Sequence, residues 1–130
     1  NLTGSNGYDL GFHGANFGSY CVTTSGAFSN VLVATDFHDG NWHCGAVVYN
    51  EVKNQLYYDG EKIGIGGNAS GGVDIESTNR LTIGSWVNIE SGPGGLAKTE
   101  IAMVSCYSGV NLTPEDIKQY YDNTRTRFGV

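Results

Sequence analysis

The chain has 130 residues, of which 39% are apolar and only 15% charged, so it can bury one core and is not a disordered segment. A formal net charge of −6 makes a surface that repels phosphate backbones and anionic lipid. Nucleic acid is excluded as a partner, and no apolar run approaches the roughly 20 residues of a membrane-spanning helix.

Twenty glycines against two prolines mark many tight turns between short strands, which is the composition of an all-β fold. One domain over residues 1–130 is expected. The sequence opens at Asn1 with no leader, and it reads as a processed or excised piece, the C-terminal part of a longer chain.

In chain order, Tyr8–His13, Ser19–Thr24 and Val31–Ala34 are candidate strands, punctuated by Asn6-Gly7, Gly14-Ala15 and Ser25-Gly26. Asp39-Gly40 then leads into the clearest strand, Asn41–Tyr49. Its alternate residues Trp42, Cys44, Ala46 and Val48 form one apolar stripe, which places Trp42 in the core. A hairpin follows, Leu56-Tyr57-Tyr58, Asp59-Gly60, Glu61-Lys62-Ile63. Asp-Gly supplies the two positive-φ residues of a type I′ turn. A two-residue loop pairs Tyr58 with Glu61, Tyr57 with Lys62 and Leu56 with Ile63, so that Leu56 and Ile63 share the core face.

Gly64–Gly72 reads as a loop, Arg80–Ser85 as a strand, Glu90–Gly95 as an open loop, and Thr99–Tyr107 as a long strand with Ala102, Val104 and Cys106 on one side. The one helix closes the chain. Thr113 is its N-cap, Pro114 its first residue and Asp116 lies in the first turn, while Ile117, Tyr120 and Tyr121 make one apolar stripe.

Several of these segments together carry a resemblance. Asp-Gly-Asn-Trp-His (39–43), Leu-Tyr-Tyr-Asp-Gly (56–60), Leu-Thr-Ile-Gly-Ser (81–85), Ile-Ala-Met-Val-Ser-Cys-Tyr (101–107) and Leu-Thr-Pro-Glu-Asp-Ile (112–117) occur in that order. The run from 39 to 128 resembles the concanavalin A-like lectin/glucanase superfamily in its LamG-type branch. That resemblance implies a concanavalin A-like β-sandwich (jelly roll) with one short C-terminal helix. The ending Asn123-Thr124-Arg125-Thr126-Arg127-Phe128-Gly129 is similar to the close of such domains in phage structural proteins.

Some enzymes of the superfamily are glycosidases with two glutamates flanking an aspartate on one strand, where alternation sets all three on one face. In Gly72-Val73-Asp74-Ile75-Glu76 the leading carboxylate is replaced by Gly72, so catalysis is not expected. His38 and His43 straddle a turn, and their rings need not converge on a metal. LamG-type modules often hold one calcium at the loop rim, and the resemblance implies such an ion here. Asp36, Asp39 and Asp74 are the available rim carboxylates, and the sequence does not choose among them. No Ser-His-Asp order is persuasive, and Gly64-Ile65-Gly66-Gly67 lacks the ending and the helix of a phosphate loop. Tyr57 faces away from Leu56 and Ile63 and is the surface candidate for stacking on a sugar.

The cysteines have no regular spacing, and three free thiols are expected. Cys44 and Cys106 sit in apolar stripes and should be buried. Cys21 alternates with Ser19 and Thr23 and should meet solvent. The function implied is a non-enzymatic lectin-like adhesion or decoration module on a virion or cell surface, with a glycan or neighbouring surface proteins as partner. A purely structural assembly module, with the chain as a homo-oligomer, and a degenerate glycoside hydrolase are the other two readings.

Overall fold

A computed structural model describes residues 7–34, 39–68, 71–72, 83–84, 86–88, 92–94 and 100–130. The chain divides into two compact units, Asn1–Ile75 with Asn111–Val130, and Glu76–Val110.

The larger unit holds two antiparallel sheets of three strands each. The first comprises β1 (Gly7–His13), β2 (Asn16–Val22) and β3 (Phe28–Ala34) in that order, and the second β4 (Gly45–Tyr49), β5 (Asn54–Tyr58) and β6 (Glu61–Ile65). The sheets pack face to face. Phe17 and Val31 from the first meet Leu56 from the second, with Val33, Tyr58 and Ile63 around them. The close approach depends on two small residues. A Cβ on Gly45 would run into the ring of Phe17, and one on Gly64 would meet Val31 and Val33.

The outer face of the second sheet is covered in turn by helix α1 (Pro114–Thr124). Ile117 buries against Val48 and Tyr57, with Ala46 and Leu112 beside them. The helix begins as the sequence predicts. Thr113 Oγ1 accepts from Asp116 N, and the Asp116 carboxylate accepts from Thr113 N, so the two residues form a capping box. A 3-10 turn, Arg125–Arg127, and Gly129 at positive φ end the chain.

The strands of this unit agree with the sequence to within a few residues, with three corrections. Residues 41–44 do not join β4, because His43 and Cys44 are held by Asp59 rather than by a neighbouring strand. In the β5–β6 hairpin the pairs Tyr58 with Glu61 and Tyr57 with Lys62 hold, but the register then shifts and Leu56 pairs with Gly64. Ile63 is the extra residue of this bulge and still reaches the core beside Leu56. Trp42 is 37% exposed instead of buried, its ring 5.9 Å from that of Phe128.

Small polar residues finish the core at the other end of the sandwich. Ser19, Thr23, Ser29 and Asn54 are all buried. Ser29 Oγ donates to Gly67 O, Thr23 Oγ1 bonds Ser25 Oγ, and Asn54 Nδ2 donates to Ser29 O, so the Ser29 and Thr23 hydroxyls and the Asn54 amide nitrogen enter the interior with partners, while Asn54 Oδ1 is buried without one among the described residues. This corrects the cysteine order. Cys21 lies on the same buried face as Ser19 and Thr23, Cys44 is half-buried and Cys106 is exposed; all three are free thiols.

In the smaller unit, β7 (Trp86–Asn88) pairs with β8 (Gly92–Gly94), so part of the expected open loop is a short strand. Residues 100–107 form no strand, and Ile101, Met103, Val104 and Tyr107 are exposed. Alternation of apolar residues qualifies a segment for a sheet but does not supply the neighbouring strand it needs. The expected strand over 80–85 falls mostly outside the described residues.

Candidate functional site

The entrance to β4 and the β5–β6 turn lie side by side, and one histidine joins them. Asp59 and Gly60 take φ of 49° and 82°, the type I′ geometry that Asp-Gly favours. This turn aims the Asp59 carboxylate at the incoming chain. Asp59 Oδ1 accepts from Cys44 N at 2.9 Å, and Oδ2 lies 2.9 Å from His43 Nδ1.

The other ring nitrogen, Nε2, lies 3.0 Å from Asp39 Oδ1. The His43 ring stacks on Tyr58 with centroids 4.8 Å apart and planes at 27°. Asp39 is fixed by its own turn, accepting from Asn41 N at 2.8 Å and from Asn41 Nδ2 at 2.9 Å.

Carboxylates only accept, so both ring nitrogens of His43 must donate to satisfy the cluster, and the protonated imidazolium is the form that fits. Burial pushes the His43 pKa down, but the hydrogen bonds to Asp39 and Asp59 and their charges outweigh it and the net shift is upward. Hydrogen bonds from His43 and Asn41 hold the Asp39 carboxyl well below the usual range. A general base needs a ring nitrogen with a free lone pair, and a metal ligand needs the same. Here both nitrogens are already engaged. The cluster is a clamp between two segments of backbone.

The residues singled out from sequence fare differently. Asp39 stands on the exposed loop 39–42 and bonds Asn41 and His43. Asp36, Asp74, His38 and Glu76 lie outside the described residues. Among the described residues, no group of three or more His, Cys, Asp or Glu side chains is placed to hold a metal ion. Tyr57 does face away from Leu56, but that side of the sheet is covered by α1, and Tyr57 is 1% exposed. Its hydroxyl reaches Gln55 Oε1 at 3.4 Å, and it presents no ring to solvent. Asp59 was not singled out as a site residue from sequence, because a turn Asp before Gly is explained by the turn alone. The exposed aromatic near the clamp is Trp42, on the same loop as Asp39 and Asn41.

Comparison with known proteins agrees with this architecture. The family Laminin_G_3, described as belonging to the concanavalin A-like lectin/glucanases superfamily, matches residues 2–118, and the chain belongs to it. The match takes in the first sheet as well as residues 39–118 of the region that carries the sequence resemblance. No curated protein matches the chain. Among solved structures, an S-layer domain-containing protein from Clostridium thermocellum is similar in fold, with a TM-score of 0.51 at 14% identity. The alignment covers 93% of this chain and 66% of that one, so this chain corresponds to a part of the larger structure. Among the described residues, no helix is long and apolar enough to cross a membrane.

Proposed function

We propose that this chain is a non-enzymatic module of adhesion or decoration that works at a surface, on a cell or a virion. The observation that carries this reading is the closed state of the His43 clamp. The histidine that sits best among carboxylates is spent on joining two backbone segments, with no nitrogen left for proton transfer. The glycosidase trio is broken in the sequence at Gly72, which weighs the same way within a superfamily that includes both lectins and glucanases. Likeness in fold to an S-layer domain-containing protein fits a place at a surface.

Within that reading, a glycan is the ligand that loop 39–42 suits. Asp39, Asn41 and Trp42 are all exposed there and offer a carboxylate, an amide and an indole, the groups that bond sugar hydroxyls and stack on sugar rings. A calcium ion at the same rim, with Asp39 among its ligands, belongs to this proposal. A second reading, assembly with other copies or neighbouring surface proteins, draws support from the exposed apolar residues of β1. A glycan array with and without calcium, combined with light scattering in solution, tests both. Sugar binding lost in Trp42→Ala supports the lectin reading, and a glycan-blind oligomer supports assembly. Hydrolysis of a β-glucan that disappears in Glu76→Gln would overturn the non-enzymatic reading itself.

A further inference from the structure

Trp42 and Phe128 meet ring to ring, with centroids 5.9 Å apart and planes at 41°. Trp42 comes from loop 39–42 and Phe128 from the turn that follows α1. That turn is built around Arg125. Its backbone O accepts from Phe128 N at 3.0 Å and from Val130 N at 3.4 Å, and its Nε donates to Val130 O at 3.0 Å. Gly129, at φ 77°, lets the chain double back to make the last of these bonds. The Arg125 guanidinium stands over the Tyr121 ring, 5.5 Å from its centroid, and Tyr121 packs against Gly60, next to Asp59 of the clamp. Loop 39–42 is therefore held at two points, at Asp39 by His43 and at Trp42 by the C-terminal turn.

We propose that this turn is a working part of the sugar site: Phe128 fixes the Trp42 ring in the orientation on which a neutral sugar stacks, and Arg125 fixes Phe128. This deepens the lectin reading above and rests on it. Distance decides what Phe128 does. A sugar between the two rings would need a van der Waals separation of about 3.5–4.0 Å on each face, roughly 7 Å or more in all. The centroids are 5.9 Å apart, so Phe128 backs the indole and does not sandwich the ligand. Trp42 is still 37% exposed, which leaves ring surface for the sugar. The ligand is neutral because Asp39 stands in the same loop of a chain whose net charge is −6, and an acidic sugar would meet like charge. Phe128 and Arg125 are positioning residues, and what they contribute is an indole that is already ordered before the sugar arrives. Ordering a free side chain on binding weakens a complex by about two- to tenfold.

An array of neutral and sialylated oligosaccharides is the probe, read as the protein concentration that half-saturates the strongest neutral spot. Phe128→Ala and Arg125→Met should each raise that concentration by about two- to tenfold, and Phe128→Tyr, which keeps the ring, should leave it at the wild-type level. Acrylamide quenching of Trp42 fluorescence in a Trp86→Phe background gives the second readout. The indole should be more accessible in the two weakened variants and unchanged in Phe128→Tyr. Circular dichroism checks that each variant is folded at the assay temperature. Should Phe128→Ala not fold, Arg125→Met carries the test, since it loosens the same turn and leaves the Phe128 ring in the chain. Wild-type binding in the weakened variants, or lost binding with wild-type quenching, overturns the positioning role and leaves the lectin reading standing. Binding to sialylated glycans alone overturns the neutral class. A wild type that binds no glycan, or binding that survives in Trp42→Ala, overturns the lectin reading at this loop and this proposal with it.

Discussion

Asp59 and Cys44 exchange two hydrogen bonds across the base of the second sheet, Asp59 N donating to Cys44 O and Cys44 N donating to the Asp59 carboxylate, each at 2.9 Å. One side chain thus does here what a strand pair does elsewhere, and it extends the tie between β4 and β5 beyond the last ladder residue, Gly45. His43 closes the arrangement by bonding the second carboxylate oxygen.

Asp59→Asn keeps an oxygen acceptor for Cys44 and tolerates positive φ, but it removes the charge facing His43. A hydrogen bond to a charged group is worth about 1.5–3 kcal/mol, and a loss in that range is expected at about pH 5.5. The pH profile gives the sharper check. The His43 pKa is raised on folding, so its contribution is full below the unfolded value of about 6.5 and fades as pH rises through the folded value. The Asp39 pKa is lowered, so its contribution is present above about 3.9 and fades as the solution is acidified. Stability from the cluster is therefore greatest between these limits. In Asp59→Asn the alkaline decline should begin at lower pH. Thermal melts at a series of pH values that superimpose in shape for the two proteins would refute the clamp.

Ile117 is the buried residue of α1 and packs on Val48 and Tyr57. Ile117→Ala should destabilise the domain by about 2–4 kcal/mol, within the range for deleting a buried aliphatic side chain. Urea unfolding measures it. A change well below 1 kcal/mol would mean that the helix is not docked on the sheet.

Gly45→Ala places a methyl group against the ring of Phe17, which is itself buried between the sheets. Overpacking of this kind costs about 1–3 kcal/mol. Gly11→Ala, where the same methyl meets open space, should be neutral or stabilise by up to about 1 kcal/mol. Equal effects at the two positions would contradict the close approach of the sheets at Gly45.

The thiols should react in the order Cys106, Cys44, Cys21. Cys106 is exposed, while burial raises the Cys44 thiol and pushes Cys21 up to about 11. A thiol reagent added to folded protein at mildly alkaline pH should label Cys106 within minutes and leave Cys21 intact until denaturant is added. Rapid labelling of Cys21 in the native protein would place β2 at the surface.

Elements governed by local rules were legible from the residues themselves. Thr113-Pro114 and Asp116 carry a helix start in their own side chains, and Asp59-Gly60 favours its turn by its own residue types. The side of the sheet on which Leu56 lies was legible as well. Coverage of the opposite side was not, because period-two alternation separates two faces without saying which is wet. Tyr57 was misplaced for that reason, and Cys21 for a related one, since Ser19, Thr23 and Ser29 look like a solvent face and turn out to be an interior one with its own hydrogen bonds. The clamp joins residues sixteen apart at its widest reach within one pair, and a sequence gives no signal for a turn aspartate that reaches back to an earlier histidine.

The setting of Gly60 bears on where the chain can be cut. It is buried, with the Lys118 and Tyr121 side chains 3.0 Å from where its own Cβ would stand, while Asp59 beside it is tied to Cys44. The β1–β2 turn at Gly14-Ala15 is exposed and has open space around it. Protease nicking and inserted sequence both demand that a turn detach from its surroundings over several residues. The Asp59-Gly60 turn is thus closed to both, and an epitope or fluorophore carried by this domain belongs at Gly14-Ala15.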